Sequence, residues 1–209
     1  MKQIFHFALV LGLTVAAILS CCNNEQSAPA APAETAAEPS TLETIFSRKS
    51  VREYTDQVVT DEQVETLLRA AMAAPSGMDR RPWRFVVIRD PEVRAALVGQ
   101  SVYTECSVLI AVCGETTMSW RDGEVRDNPN WTADCAAATE NLLLAAESMG
   151  LGAVWTAGYP YPDRMDPARD VLGLPDNVSL YCLVPVGYPA GDAQPKDKWN
   201  PENIHHDRW

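Results

Sequence analysis

The chain has 209 residues and is acidic, with 28 Asp and Glu against 17 Lys and Arg and a formal net charge of -11. That balance argues against a nucleic-acid binder, which normally spreads basic charge over a whole face. The three histidines are His6 and, near the end, His205 and His206, and there is no CxxC pair, so neither a metal cluster nor a histidine-based triad is expected.

Residues 1–20 read as an export signal. Lys2 supplies a positive start, and residues 5–19 are apolar apart from His6, Gly12 and Thr14. The run is too short to span a bilayer comfortably as a permanent helix. Ser20 followed by Cys21 resembles the end of a bacterial lipoprotein signal, on which Cys21 becomes the lipidated N-terminus of a membrane-anchored protein of the cell envelope. An ordinary signal cleaved nearby is the alternative. Residues 21–40 are rich in Ala, Pro, Glu and Ser and form a disordered tether, because such a stretch cannot bury enough apolar surface to fold. One folded domain is expected over residues 41–209.

Within that domain, Ser40 and Glu43 form a capping box that starts a short helix to about residue 48. Thr60 and Gln63 form a second box. Val64, Leu67, Leu68 and Ala71 then recur at helical spacing until Pro75, Ser76 and Gly77 stop the helix near residue 74. A strand is expected at 85–88, with Trp83 beside it in the core, and Asp90-Pro91 caps a third helix to about residue 98. Residues 107–113 are almost continuously apolar, as in a strand covered on both faces. Residues 114–130 are polar around Trp120 and read as a long binding loop. The central helix is expected at 131–149 with Gly150 at its C-terminal cap. A strand at 153–156, a short helix at 163–172 and a last strand at 180–186 follow, then a polar arm from Pro189. The order predicts an α+β fold, one sheet sandwiched by helices, with an arm that needs a surface to lie on, which a dimer partner could supply. Cys113 and Cys182 fall in the apolar strands and Cys135 in the Ala-rich helix, so buried free thiols are expected rather than disulfides. A thiol reaction at Cys106 and Cys113 would need both exposed and close.

The cations are not scattered. Arg48, Lys49, Arg52, Arg80, Arg81, Arg84, Lys196 and Lys198 are eight of the 17. An acidic chain that gathers cations this way points to a small anion, with phosphate the natural candidate. Arg48, Ser50 and Arg52 alternate where the first helix closes. By themselves they are no more than a cationic helix end, favourable to the dipole.

Five stretches in register change that reading: Arg48 to Tyr54; Ala73 to Phe85 with its Ala-Ala-Pro-Ser and Pro-Trp-Arg-Phe; Met149 to Trp155; Val184 to Pro189; and Lys196-Asp197-Lys198. Together they resemble the nitroreductase family of FMN-dependent oxidoreductases, over essentially all of residues 41–209. The resemblance implies a homodimer with FMN at each subunit interface. Arg48 and Ser50, with the neighbouring Lys49, would hold the phosphate and ribityl end. Lys196 and Lys198 would reach the same phosphate from the arm. Arg52 would lie near the N1/O2 edge of the ring, where a cation favours the anionic reduced form. Pro75, Ser76 and Gly77 would line the ring from the other subunit, and Asp79 would lie near the flavin. Thr156, Ala157 and Gly158 would complete it, with the backbone N–H of Ala157 or Gly158 aimed at N5. The family usually has Asn where Asp79 stands and Gln where Arg81 stands. An ionised Asp79 would lower the flavin potential unless Arg80, Arg81 or Arg84 pairs with it.

The implied activity is ping-pong hydride transfer from NAD(P)H, or another reduced carrier, to flat electron-poor acceptors such as nitroaromatics or quinones. The flavin carries the chemistry and no catalytic side chain is required. Export complicates the donor, since nicotinamide is plentiful in the cytoplasm; a quinol or a partner flavoprotein is the alternative. Two rival functions stay open: a specialised member of the family, such as a dehalogenase-like enzyme, and a binding lipoprotein that kept the fold without turnover.

Overall fold

The computed structural model describes residues 39–97 and 105–209. The expected signal, Cys21 and all but the last two residues of the expected tether lie outside the described residues. No helix among the described residues is long and apolar enough to cross a membrane.

In chain order the elements are α1 (Thr41–Ser47), α2 (Asp61–Met72), a 3-10 turn (Gly77–Asp79), β1 (Trp83–Ile88), α3 (Pro91–Ala96), β2 (Val108–Glu115), β3 (Thr117–Ser119), β4 (Val125–Asp127), α4 (Trp131–Ser148), β5 (Gly152–Ala153), β6 (Thr156–Ala157), α5 (Pro162–Leu172) and β7 (Val178–Gly187). Both capping boxes form. The Ser40 and Thr60 hydroxyls accept the N–H of Glu43 and Gln63, whose side chains accept in return from the cap N–H groups. At the other end of α4, Gly150 adopts φ 70, and the N–H groups of Gly150 and Leu151 reach Glu147 O and Ala146 O. That is the doubly bonded helix stop that a left-handed glycine permits.

The main sheet runs β1-β2-β7-β5, with β6 also on β7, and every pairing is antiparallel. β2 explains the layering. Seven of its eight residues are buried, so both faces must be covered. Val108, Ile110 and Val112 join Leu67 of α2 and Ala138, Leu142 and Leu143 of α4 on one face. Leu109, Ala111 and Cys113 join Leu97, Ala168, Leu180 and Leu183 on the other. Each buried aliphatic side chain contributes roughly 1.5–3 kcal/mol, so this central strand anchors two cores at once. Trp83 packs in the first core at 5% exposure, as its setting beside the strand suggested. The sheet sandwiched by helices is the expected fold class.

Three local readings change. Residues 114–130 are not one loop: β2 extends to Glu115, and β3 and β4 form a hairpin pairing Thr117 with Asp127 and Ser119 with Val125. Exposed polar strands leave no hydropathy alternation to read. The strand expected at 153–156 divides into β5 and β6, which keep one register on β7, Ala153 opposite Val186 and Thr156 opposite Leu183. Between them Val154 would face Pro185, which has no N–H to give, so the ladder lapses there. Finally, Arg48 to Arg52 does not close a helix. Arg48 leaves α1 with ψ 132 and the chain continues extended.

Candidate functional site

The extended segment after α1 is fastened to the sheet edge. Val51 N–H donates to Ala153 O at 3.0 Å, and Ser50 bridges Ala153 in parallel. Val51 is buried at 2% exposure and lies so close to Gly152 that a Cβ there would sit 2.5 Å from Val51 Cγ1. With Val51 turned inward, its neighbours Ser50 and Arg52 turn outward, as extended backbone requires. The arm then joins the same segment. Tyr54 bridges Pro189, Thr55 N–H donates to Tyr188 O at 2.9 Å, and Ala190 N–H donates to Glu53 O at 3.0 Å. The surface that receives the start of the arm is therefore this chain's own segment, where a dimer partner had been considered.

This zipper carries the arm across the cations. Arg48, Lys49, Ser50 and Arg52 line a cavity of about 350 Å3 together with Ala193, Gln194, Lys196 and Lys198. Arg48 Nε lies 3.4 Å from Glu140 Oε1, a partly exposed pair, and Lys49 Nζ lies 2.9 Å from Glu147 Oε1. Among the described residues Arg52, Lys196 and Lys198 make no ion pair, so net positive charge faces the cavity. Glu140 and Glu147 were not anticipated. Two carboxylates seven residues apart on one face of an Ala- and Leu-rich helix were the available signal. A larger cavity of about 670 Å3 adjoins, sharing Arg48, Lys196 and Lys198 and adding Ile45, Phe46 and Trp199.

Pro75, Ser76, Gly77 and Asp79 do not line the cation cavity; they form a separate loop at the end of α2. Gly77 N–H donates to Asp134 Oδ1 at 2.8 Å, and Asp134 is buried in the first turn of α4. A Cβ on Gly77 would meet Asn130 Nδ2 at 2.6 Å. Met78, Asp79 and Arg81 all have φ between 51 and 55, so the loop is tightly coiled. Asp79 accepts two hydrogen bonds from Arg81, at 2.7 and 2.6 Å, which hold its carboxyl below the usual range. The expected pairing is thus made by Arg81. Arg80 instead donates to Ser119 O at 2.9 Å in the hairpin, and Arg84 pairs with Glu115.

Thr156, Ala157 and Gly158 also lie outside the cation cavity. The N–H of Gly158 is taken, donating to Tyr181 O at 3.0 Å. Of the two N–H groups considered, only that of Ala157 is left, for a reason set by the ladder. When Gly158 reaches Tyr181, the Ala157–Cys182 pair falls at the non-bonded position, where N–H and C=O turn away from the partner strand.

The four described thiols stand apart from these groups. Cys106, Cys113, Cys135 and Cys182 are all free and buried. Burial pushes Cys113 and Cys182 up to about 12 and raises Cys106 and Cys135 too, so Cys106 and Cys113, both buried, are poorly placed for thiolate chemistry near neutral pH.

The sequence model of the nitroreductase family matches residues 45–102 and 94–188. A provisionally named NADH dehydrogenase/NAD(P)H nitroreductase of Archaeoglobus fulgidus is 38% identical over 176 residues, covering 80% of this chain and 98% of that protein. The chain belongs to the nitroreductase family. A crystal structure of a protein of the same provisional name from Parabacteroides distasonis is 46% identical and superposes with a TM-score of 0.74, over 82% of this chain and all of that one. The NADPH:FMN oxidoreductase of Vibrio harveyi, solved with NAD+, is 26% identical with a TM-score of 0.69, over 81% of this chain and 77% of that one. The nitroreductase match spans Arg48 to Arg52, the Pro75 loop and β6, and stops before the arm that carries Lys196 and Lys198.

Proposed function

We propose that this FMN-dependent oxidoreductase accepts hydride from NAD(P)H or another reduced carrier and, in ping-pong order, reduces flat electron-poor acceptors such as nitroaromatics and quinones. The observation that carries the reading is the cavity where Arg48, Arg52, Lys196 and Lys198 converge from distant parts of the chain. A phosphate dianion suits it: three cations there lack carboxylate partners among the described residues, and guanidinium and ammonium groups make short charge-assisted hydrogen bonds to phosphate oxygens. Bound FMN supplies the two-electron chemistry. In this reading Arg48, Ser50, Lys196 and Lys198 grip the phosphate and ribityl end, and Lys49, committed to Glu147, adds less. Arg52 would compensate negative charge at the N1/O2 edge, and the Ala157 N–H would donate at N5.

Pro75, Ser76 and Gly77 are assigned to the ring of a second copy. Support comes from their absence from the lining of the cation cavity, and from the exposed Ile45, Phe46 and Trp199 that line the cavity beside it, which a partner subunit would cover. Residues 1–20 are assigned as a lipoprotein signal, with Cys21 lipidated, 21–40 as a tether and 41–209 as the catalytic domain; uncleaved protein in the cytosolic fraction would overturn the export reading.

The test is a visible spectrum of the purified protein, then kinetics with NADH, NADPH and a panel of nitroaromatics, quinones and halophenols. Flavin absorbance and parallel double-reciprocal lines are expected. Lack of flavin even after added FMN would refute the assignment, and turnover confined to halophenols would replace it with a dehalogenase.

A further inference from the structure

Arg164 stands outside every motif considered so far. It lies in the first turn of α5, its N–H donating to Tyr161 O at 3.0 Å. Its guanidinium carbon sits 4.6 Å above the Tyr161 ring, and Nη1 donates to Ala157 O at 3.1 Å. The aromatic face and the carbonyl together hold a partly buried cation in one place.

The carbonyl it takes is the informative one. Gly158 and Tyr159 both donate their N–H groups to Tyr181 O, at 3.0 and 2.9 Å, which pins the chain just after β6 onto β7. Ala157, at the non-bonded position, turns its N–H and its C=O to the same outer edge. β6 is only two residues long and is cut off from β5 by the lapse opposite Pro185, so little in the ladder itself fixes that edge. Arg164 does. It binds the outward carbonyl and so orients the outward N–H of the same residue, and it brings a positive charge to that edge.

We infer that Arg164 is a positioning residue for hydride transfer: it holds the Ala157 N–H in its outward orientation and supplies positive charge beside it. The inference rests on the reading that this N–H faces flavin N5. A ring that gains negative charge on reduction is stabilised by a nearby cation, so the residue acts on the reduced form more than on binding.

The experiment uses the FMN-loaded protein with Arg164→Gln and Arg164→Lys. Four quantities are measured: FMN dissociation constant by fluorescence, midpoint potential by dye-coupled titration, kcat, and melting temperature of the flavin-free protein. Arg164→Gln is expected to keep FMN affinity near that of the wild type, because the phosphate cavity is untouched. The midpoint potential moves to more negative values, and kcat falls roughly ten- to hundredfold, the scale of losing orientation at a reacting atom. Arg164→Lys keeps the charge and recovers part of the potential but not all of kcat. A melting temperature that drops while potential and kcat hold would overturn the inference and leave a structural role. Loss of FMN affinity in both variants would overturn it in the same way. The underlying reading is tested separately: a wild-type protein that binds no FMN sinks both, whereas FMN binding that is sensitive to Arg48→Ala and a potential indifferent to Arg164 sink only this one.

Discussion

Arg48→Ala isolates the phosphate grip. The side chain is 18% exposed and borders both cavities, so its contact with a bound phosphate would be partly desolvated. A charge-assisted hydrogen bond of that kind is worth about 1.5–3 kcal/mol. Against it stands the Glu140 pair that Arg48 gives up or shares. That pair is long, at 3.4 Å, with Glu140 half exposed, so it offsets no more than about 0.5 kcal/mol. The net loss is about 1–2.5 kcal/mol, or roughly a five- to seventyfold rise in the FMN dissociation constant. The assay is quenching of free FMN fluorescence on titration with flavin-free protein at fixed ionic strength. Lys49→Ala is the control: its ammonium is bound to both oxygens of Glu147, at 2.9 and 3.2 Å, and the variant should weaken FMN less. A dissociation constant within twofold of wild type for Arg48→Ala, or a larger loss at Lys49, would refute the phosphate reading of the cavity.

Glu140→Gln should tighten FMN binding by up to about twofold, by freeing Arg48 from a competing carboxylate, as the same titration would read. Gly152→Ala should destabilise the domain by roughly 1–3 kcal/mol, since its new methyl meets Val51 at 2.5 Å; a melting temperature equal to wild type would contradict the packing described. In the native protein Cys106, Cys113, Cys135 and Cys182 should resist a thiol-labelling reagent at pH 8 and label fully once unfolded. The folded Cys182 value, about 12, lies above its ordinary 9.0, so its contribution to stability is complete below about pH 9 and declines as pH rises from there towards 12. Denaturation midpoints measured between pH 8 and 11 should therefore fall; a rise would reverse the sign of the argument.

The sequence was most legible where chemistry is local. Ser40 with Glu43, Thr60 with Gln63, and Gly150 each specify a helix end within four residues, and each end forms as read. β2 was legible because a strand buried on both faces must be apolar throughout. The convergence of Arg48 with Lys198 was reached only through family resemblance. What creates it is the backbone pairing of Glu53 with Ala190 and Tyr54 with Pro189, and backbone groups leave no mark in side-chain pattern. The extended course of Arg48 to Arg52 was hidden for a similar reason: it is imposed by the edge of β5, a tertiary contact that overrides the preceding helix. Asp134 and Arg164 were missed because each acts on a main-chain group: Gly77 N–H, distant in sequence, for Asp134, and for Arg164 a nearby carbonyl whose outward turn depends on strand register.

The fastening of the arm to the Glu53–Tyr54 edge has a consequence for the life of the molecule. The two cores are complete by Gly187, whereas half the walls of the anion cradle are added later, from Ala193 to Lys198. The packing of the body is therefore separable from the residues that would hold a phosphate. On the proposed reading, a protease that clips the exposed arm beyond Ala190 would silence the enzyme while leaving both cores packed.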